Sequence, residues 1–228
     1  MFKPSAKQPD SFVMPAHCHP GKIDVLRRVF ETLRPQSFAD LGGTWNVDGA
    51  YTFFLLNNYP VDRAVLADWS TTPIMHTMAT KHPQLSLLEG ALGSPRILSA
   101  IGTVDCVLLF DVLLHQINPD WKEMLTLYSR LAPTFVIFNP QYVGGSQSIR
   151  LQDLDDATYA RVVPDAMTMR GEPRSSDDSA FWQWGITNRD LSAHMAILGY
   201  TLAYEKSWNK MSEAFENYAF IFQKSVDR

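Results

Sequence analysis

Asp40 and Asp68 each stand at the end of a short apolar run, and that placement makes them candidates for chemistry. A carboxylate there can accept hydrogen bonds from the hydroxyls of a ligand lying across the run's end. Asp40 is followed by Leu41, Gly42, Gly43 and Thr44, and glycines permit a tight turn whose N–H groups approach a ligand closely. A helix expected to begin near Asp48 adds the positive end of its dipole. His115 lies just beyond the apolar run 104–110, and an imidazole takes or gives a proton near neutral pH. It reads either as a general base or as a histidine lining that turn, with Gln116 beside it to orient a substrate. Phe181-Trp182-Gln183-Trp184 suits an aromatic wall, a cage for a cationic substrate, or core residues anchoring the segment. Trp45 and Tyr51 are open to the same readings. His17-Cys18-His19 are all metal-ligand types, but no second cluster with ligand spacing accompanies them, so no metal is expected. His19 is instead a candidate substrate contact from an arm folding over the site, as is His17. Asp153, Asp155 and Asp156 read as a solvated helix start.

These residues must be held by elements, and the pattern supplies them. Ile23, Leu26, Val29, Phe30 and Leu33 mark one face of a helix over 22–33, stopped by Pro35. Apolar runs at 37–41, 64–67, 85–88 and 104–110 are too far apart for hairpins, and a fifth spans 134–138. Between them, Thr72-Pro73, Ser94-Pro95 and Asn118-Pro119 each place a capping side chain before a proline at a first helical position. Trp121, Met124, Leu125, Tyr128 and Leu131 keep helical spacing up to Pro133. Strands alternating with helices predict an α/β fold with a mostly parallel sheet and helices on both faces. Thr187 with Asp190 resembles a capping box for a helix ending at Gly199. Strand-like 200–207 and 218–223, joined by a polar loop of about ten residues, predict an antiparallel hairpin at the sheet edge. The first 20 residues read as an irregular arm and 142–185 as a lid-like insertion, with a polar run at 170–179, on a single domain over 1–228.

Parallel strands ending in an antiparallel hairpin, with these motifs in this order, resemble the class I S-adenosylmethionine-dependent methyltransferases of small-molecule type from about Lys22 onward. The resemblance implies a Rossmann-like fold and S-adenosylmethionine as donor, with S-adenosylhomocysteine as product. Phe38-Ala39-Asp40-Leu41-Gly42-Gly43-Thr44 is similar to the first motif, although Thr44 and Asn46 replace two of the family's three alternating glycines. Asp68 corresponds to the acid that accepts the ribose hydroxyls, and Trp69 to a cover for one adenine face. Glu89, Gly90 and Ala91 match the segment that meets the adenine. Asp111, Val112 and His115 match the strand end and turn beside the methyl donor. Asn139-Pro140-Gln141-Tyr142 is similar to the Asn-Pro-Pro-Tyr loop that holds a target nitrogen in amino-methyltransferases. There the loop follows the fourth strand; here it follows the fifth, unless 85–88 is not a strand. Asn139 and Tyr142, with Trp182 and Trp184, complete the candidate acceptor contacts.

The expected reaction is methyl transfer to an O, N or S nucleophile of a small molecule. An amino-methyltransferase of a planar amine using Asn139–Tyr142, a nucleotide-binding oxidoreductase and a catalytically silent methyltransferase-like protein are the competing readings. A net charge of −4, with 46% apolar and 19% charged residues, gives no electrostatic case for a nucleic-acid partner. No run reaches the length of a membrane span, the start lacks the apolar core of a secretory signal, and two cysteines make no disulfide framework. The cytoplasm is the expected location. Nothing in the residues specifies an oligomeric state.

Overall fold

The computed structural model describes residues 18–163 and 182–225. His17, Phe181 and the run 170–179 lie outside them. Five strands, β1 (Ser37–Leu41), β2 (Arg63–Asp68), β3 (Leu85–Glu89), β4 (Cys106–Phe110) and β5 (Thr134–Tyr142), pair in parallel in the order 3-2-1-4-5. β9 (Phe215–Lys224) joins β5 antiparallel, and β8 (Tyr200–Lys210) closes the sheet on the far side of β9.

Helices α1 (Pro20–Thr32), α2 (Ala50–Asn58) and α3 (Pro73–Ala79) cover one face, through Leu26, Phe30, Phe53 and Met75. The other face carries α4 (Pro95–Ile101), α5 (Trp121–Tyr128) and α7 (Asn188–Ile197), through Ile97, Trp121, Leu125 and Leu191. Along β4, Cys106, Leu108 and Phe110 point to the first layer and Val107 and Leu109 to the second. Burial on both sides makes such a strand an unbroken apolar run, and this is why the central strands show in the sequence.

The boundaries differ from expectation where side chains choose other partners. α1 starts at Pro20, because the His19 side chain accepts from the Gly21 N–H and caps it. α2 starts at Ala50 rather than near Asp48, after a left-handed Gly49. Asn118 caps nothing. Asp120 caps α5 instead, accepting from the Lys122 and Glu123 N–H groups while Glu123 returns a bond to Asp120 N. The Thr187–Asp190 box is only half made. Thr187 accepts from Asp190 N, but the Asp190 carboxylate accepts from Ser148 N at 2.6 Å. The β8–β9 loop shrinks from the expected ten residues to four, since polar Trp208-Asn209-Lys210 extends β8 along an exposed edge.

The expected lid-like insertion has structure of its own within its described part. β6 (Ile149–Arg150) pairs antiparallel with β7 (Trp184–Gly185), and α6 (Asp156–Val162) follows a 3₁₀ turn at Leu151–Asp153. Asp155 caps α6, as the acidic run there suggests. Leu151, Tyr159, Val163, Trp182 and Phe215 pack with Leu114 into a third apolar cluster. No helix among the described residues is long and apolar enough to cross a membrane.

Candidate functional site

The carboxyl ends of β1, β2 and β4 meet around the glycine turn. Gly42 is left-handed (φ +76°), and a methyl group there would stand 2.7 Å from Val112 Cγ2. Gly43 is required differently, because a Cβ would lie 2.6 Å from Asp40 Oδ2. Further along, Asn46 (φ 58°) and Asp48 (φ 46°) take left-handed backbone positions. These short polar side chains tolerate that region better than most. The turn therefore closes without the alternating glycines, through Asp48 N to Thr44 O and Gly49 N to Gly43 O, each 2.9 Å.

Asp40 lies beneath this turn, 1% exposed, and accepts from Thr52 Oγ1 at 2.6 Å. Burial pushes its carboxyl up to about 6, against the Thr52 bond, with the Asp68 charge raising it further and Lys22 opposing. Asp40 thus props Gly43 from inside and presents no surface to a ligand. Asp68 ties β2 to the turn, with Oδ2 accepting from Thr44 N at 2.8 Å and Oδ1 from Trp69 N at 2.6 Å. Each carboxylate oxygen retains acceptor capacity beyond these bonds. Trp69 is 75% exposed, free to cover a flat ligand. Thr44 Oγ1 is buried without a hydrogen-bond partner.

Glu89 is exposed, and its carboxylate is held by the turn that follows β2. It accepts from Thr71 N at 2.9 Å and Thr71 Oγ1 at 2.5 Å, and these bonds hold its carboxyl below the usual range. The Gly90 N–H is committed to Asp68 O at 2.9 Å, which removes it as a ligand donor and corrects that part of the expectation. Ala91 stays exposed at the same edge.

Asp111 ends β4 with φ 58°, an unusual backbone for a residue other than glycine. Its carboxylate pairs with Lys22 Nζ at 2.5 Å. The same ammonium lies 5.3, 5.8 and 5.6 Å from the ring centroids of Tyr51, Phe110 and Phe138. Ring faces and a carboxylate together compensate a cation that is only 8% exposed. Sequence reasoning missed Lys22. Its partner lies 89 positions away, but the signal was present: with Val25, Leu26 and Val29 it shares the apolar face of α1.

The other candidates sort by what they touch. His115 ends a 3₁₀ turn (Leu113–His115) and its ring stands 6.2 Å from that of Trp45, joining the β4 turn to the glycine turn. Gln116 donates to Val112 O, and its carbonyl accepts from Trp184 Nε1 at 2.9 Å. The Trp184 N–H is therefore already used. His19 is also fully engaged. Nδ1 accepts from Gly21 N, so Nε2 carries the proton and donates to Asn209 Oδ1 at 2.8 Å, which corrects its role from substrate contact to helix cap. Trp182 is 2% exposed and packs edge-on against Phe215 at 4.9 Å, a core anchor and not an open wall. Tyr142 likewise packs against Phe215 and over Gly144 and Gly145. Since Leu85–Glu89 is a strand, Asn139–Tyr142 belongs to the fifth strand, paired with β9. That removes the ground for reading it as the loop after the fourth. Asn139 is fully buried; its Nδ2 donates to Pro140 O and its Oδ1 has no partner. Among the described residues no three His, Cys, Asp or Glu side chains come together as metal ligands.

No protein-family model matches the sequence, and no curated protein does. Solved structures do. The N-terminal domain of EvdMO1, in the presence of SAH and D-fucose, superposes with a TM-score of 0.61 at 13% identity, over 91% of this chain and 84% of that one. The 1,6-didemethyltoxoflavin-N1-methyltransferase of Burkholderia thailandensis, with 1,6-didemethyltoxoflavin and S-adenosylhomocysteine bound, gives 0.60 at 12%, over 90% and 78%. Magnesium protoporphyrin IX methyltransferase from Synechocystis PCC 6803, with bound SAH, gives 0.57 at 14%, over 90% and 84%. With the strand order 3-2-1-4-5-9-8 and the reversed last pair, these likenesses show that the chain has the fold of the class I S-adenosylmethionine-dependent methyltransferases.

Proposed function

We propose that this protein transfers a methyl group from S-adenosylmethionine to an O, N or S nucleophile of a small molecule. The observation that carries the reading is the Thr44 N–Asp68 bond. It joins a two-glycine turn to an acid at the next strand end, the pairing a nucleoside with an amino-acid tail requires. The residues fit that donor on their own terms. Gly42 and Gly43 let the turn pack directly on Val112 and Asp40, and the buried Thr44 hydroxyl has hydrogen-bonding capacity to spare. Asp68 holds the ribose hydroxyls, Trp69 covers the adenine, and Glu89 fixes the Thr71 turn at the adenine end. Asp111 and Val112 form the wall nearest the reacting carbon.

The donor, when bound, supplies an activated methyl on a sulfonium, and the bond electrons leave with sulfur as a neutral thioether. The chain contributes position and exclusion of water. His115, at the β4 edge, takes the proton when the nucleophile carries one. Gln116, committed to Val112, shapes the turn that holds His115.

Calorimetric titration with S-adenosylhomocysteine tests this reading. Micromolar binding is expected, weakened at least tenfold in Asp68→Ala. A wild-type protein that takes up no S-adenosylhomocysteine would defeat the proposal.

A further inference from the structure

Beyond Phe138 the fifth strand changes chemistry while remaining buried. Phe135 and Ile137 point into the second layer's core, and alternation places Asn139 and Gln141 next along that face. Both are 0% exposed. Asn139 satisfies one end of its amide, on Pro140 O, and leaves Oδ1 without a partner; Gln141 leaves both Nε2 and Oε1 without one. Amide orientation does not lower the count: exchanging O and N leaves both ends of Gln141 unmatched, and in Asn139 it would also lose the bond to Pro140 O, since two carbonyl oxygens cannot share a hydrogen bond. Each buried polar group left unmatched forfeits its hydration without a return and so costs stability. Two neighbouring side chains therefore work against stability where an apolar residue would serve it.

Their position gives a reason. Asp111 N donates to Phe138 O at 2.8 Å, so the two amides stand immediately beyond the point where the β4 turn meets β5. That is the turn carrying Asp111, Val112 and His115. The insertion covers the same strand end, through Tyr142 N to Ile186 O at 2.7 Å.

Resting on the methyltransferase reading, we infer that Asn139 and Gln141 anchor the methyl acceptor, and that the group they hold is an uncharged planar one bearing both a donor and an acceptor: an amide, a lactam or a ureide. Gln141 offers one N–H end and one oxygen, and Asn139 offers a free acceptor beside them. A carboxylate would match only the N–H end and an ammonium only the oxygens. Either ion would also be buried without a counter-charge, at a cost neutral amides cannot return. The anchored group is a handle, distinct from the methylated atom.

The test uses thermal melting and calorimetry on the full chain, with and without saturating S-adenosylhomocysteine. Uracil and 2-pyridone are the neutral probes; benzoate and benzylamine are the charged ones. The wild type is expected to bind a neutral probe and to ignore both ions. Gln141→Met and, independently, Asn139→Leu are expected to melt at or above the wild-type temperature and to bind S-adenosylhomocysteine unchanged. Each should weaken the neutral probe at least tenfold. Preference of the wild type for benzoate or benzylamine, absence of any neutral-probe response, or variants that bind the probe as the wild type does would each overturn the inference. The wild-type comparison needs no variant to fold. Loss of S-adenosylhomocysteine binding in the wild type would strike the methyltransferase reading separately, because the probes are also measured without it.

Discussion

Asp40 is a carboxylate the fold would prefer uncharged. Its folded value of about 6 lies above the ordinary carboxylate value of 3.8. A raised acid favours the folded state while protonated, so its contribution is complete below about pH 4 and is lost as pH rises through about 6. A difference of this size corresponds to about 3 kcal/mol at most. Asp40→Asn keeps an acceptor for Thr52 and removes the charge. Urea unfolding at pH 4.5 and pH 7 should show the wild type losing stability relative to the variant on going to pH 7. Parallel pH profiles for the two proteins would contradict it. The sequence shows that an acid closes β1, because an apolar run is visible; it does not show which way the acid faces. That depends on Thr52, a helix turn beyond a loop whose left-handed positions fall on Asn46 and Asp48 rather than on glycines. Glu89 was legible as a polar residue at a strand end for the same reason, while its partner Thr71 was not; His19 read as part of the arm, and neither its capping role nor its partner Asn209 showed in the sequence.

Between elements, one contact ties the first helix to the site. Lys22 reaches from α1 to the left-handed Asp111 after β4, inside a box of three rings. Lys22→Met should cost about 2 kcal/mol, less than a fully buried pair because Asp111 is 41% exposed on its side chain. It should also weaken S-adenosylhomocysteine, and adding Asp111→Asn should restore part of both losses. Additive losses in the double variant, by melting and calorimetry, would mean the two side chains act separately. Strands were legible at this scale wherever both faces are buried. Helix starts were less so: Asp120 displaces Asn118 as a cap through its own local box with Glu123, while the competition between Thr187 and Ser148 for Asp190 is settled by a partner distant in the chain. Trp182 and Tyr142 show the same limit, since an aromatic residue reads alike whether it lines a site or meets Phe215 in a core.

For the molecule as a whole, the alternation of strands and helices was enough to read the parallel half, and the C-terminal hairpin followed from the change of rhythm after Gly199. What did not follow was that β9 sits inside the sheet, with β5 on one side and β8 on the other. All nine residues of β5 pair with it, from Thr134↔Gln223 to Tyr142↔Phe215. A chain ended after Gly199 should therefore bind an apolar dye and sediment as aggregates, and a soluble monomer that binds no dye would refute this.

That arrangement also has a consequence in time. Synthesis runs from the N-terminus, and at about 5–20 residues per second roughly 4 to 15 seconds separate the appearance of Tyr142 from that of Phe215. Throughout that interval β5 has emerged while its second neighbour does not yet exist. His19, which caps the first helix, waits longer still for Asn209. The newborn protein thus passes through a period in which its fifth strand is bare along one side, and a cell making it must either shield that edge or make it slowly enough for solitary chains.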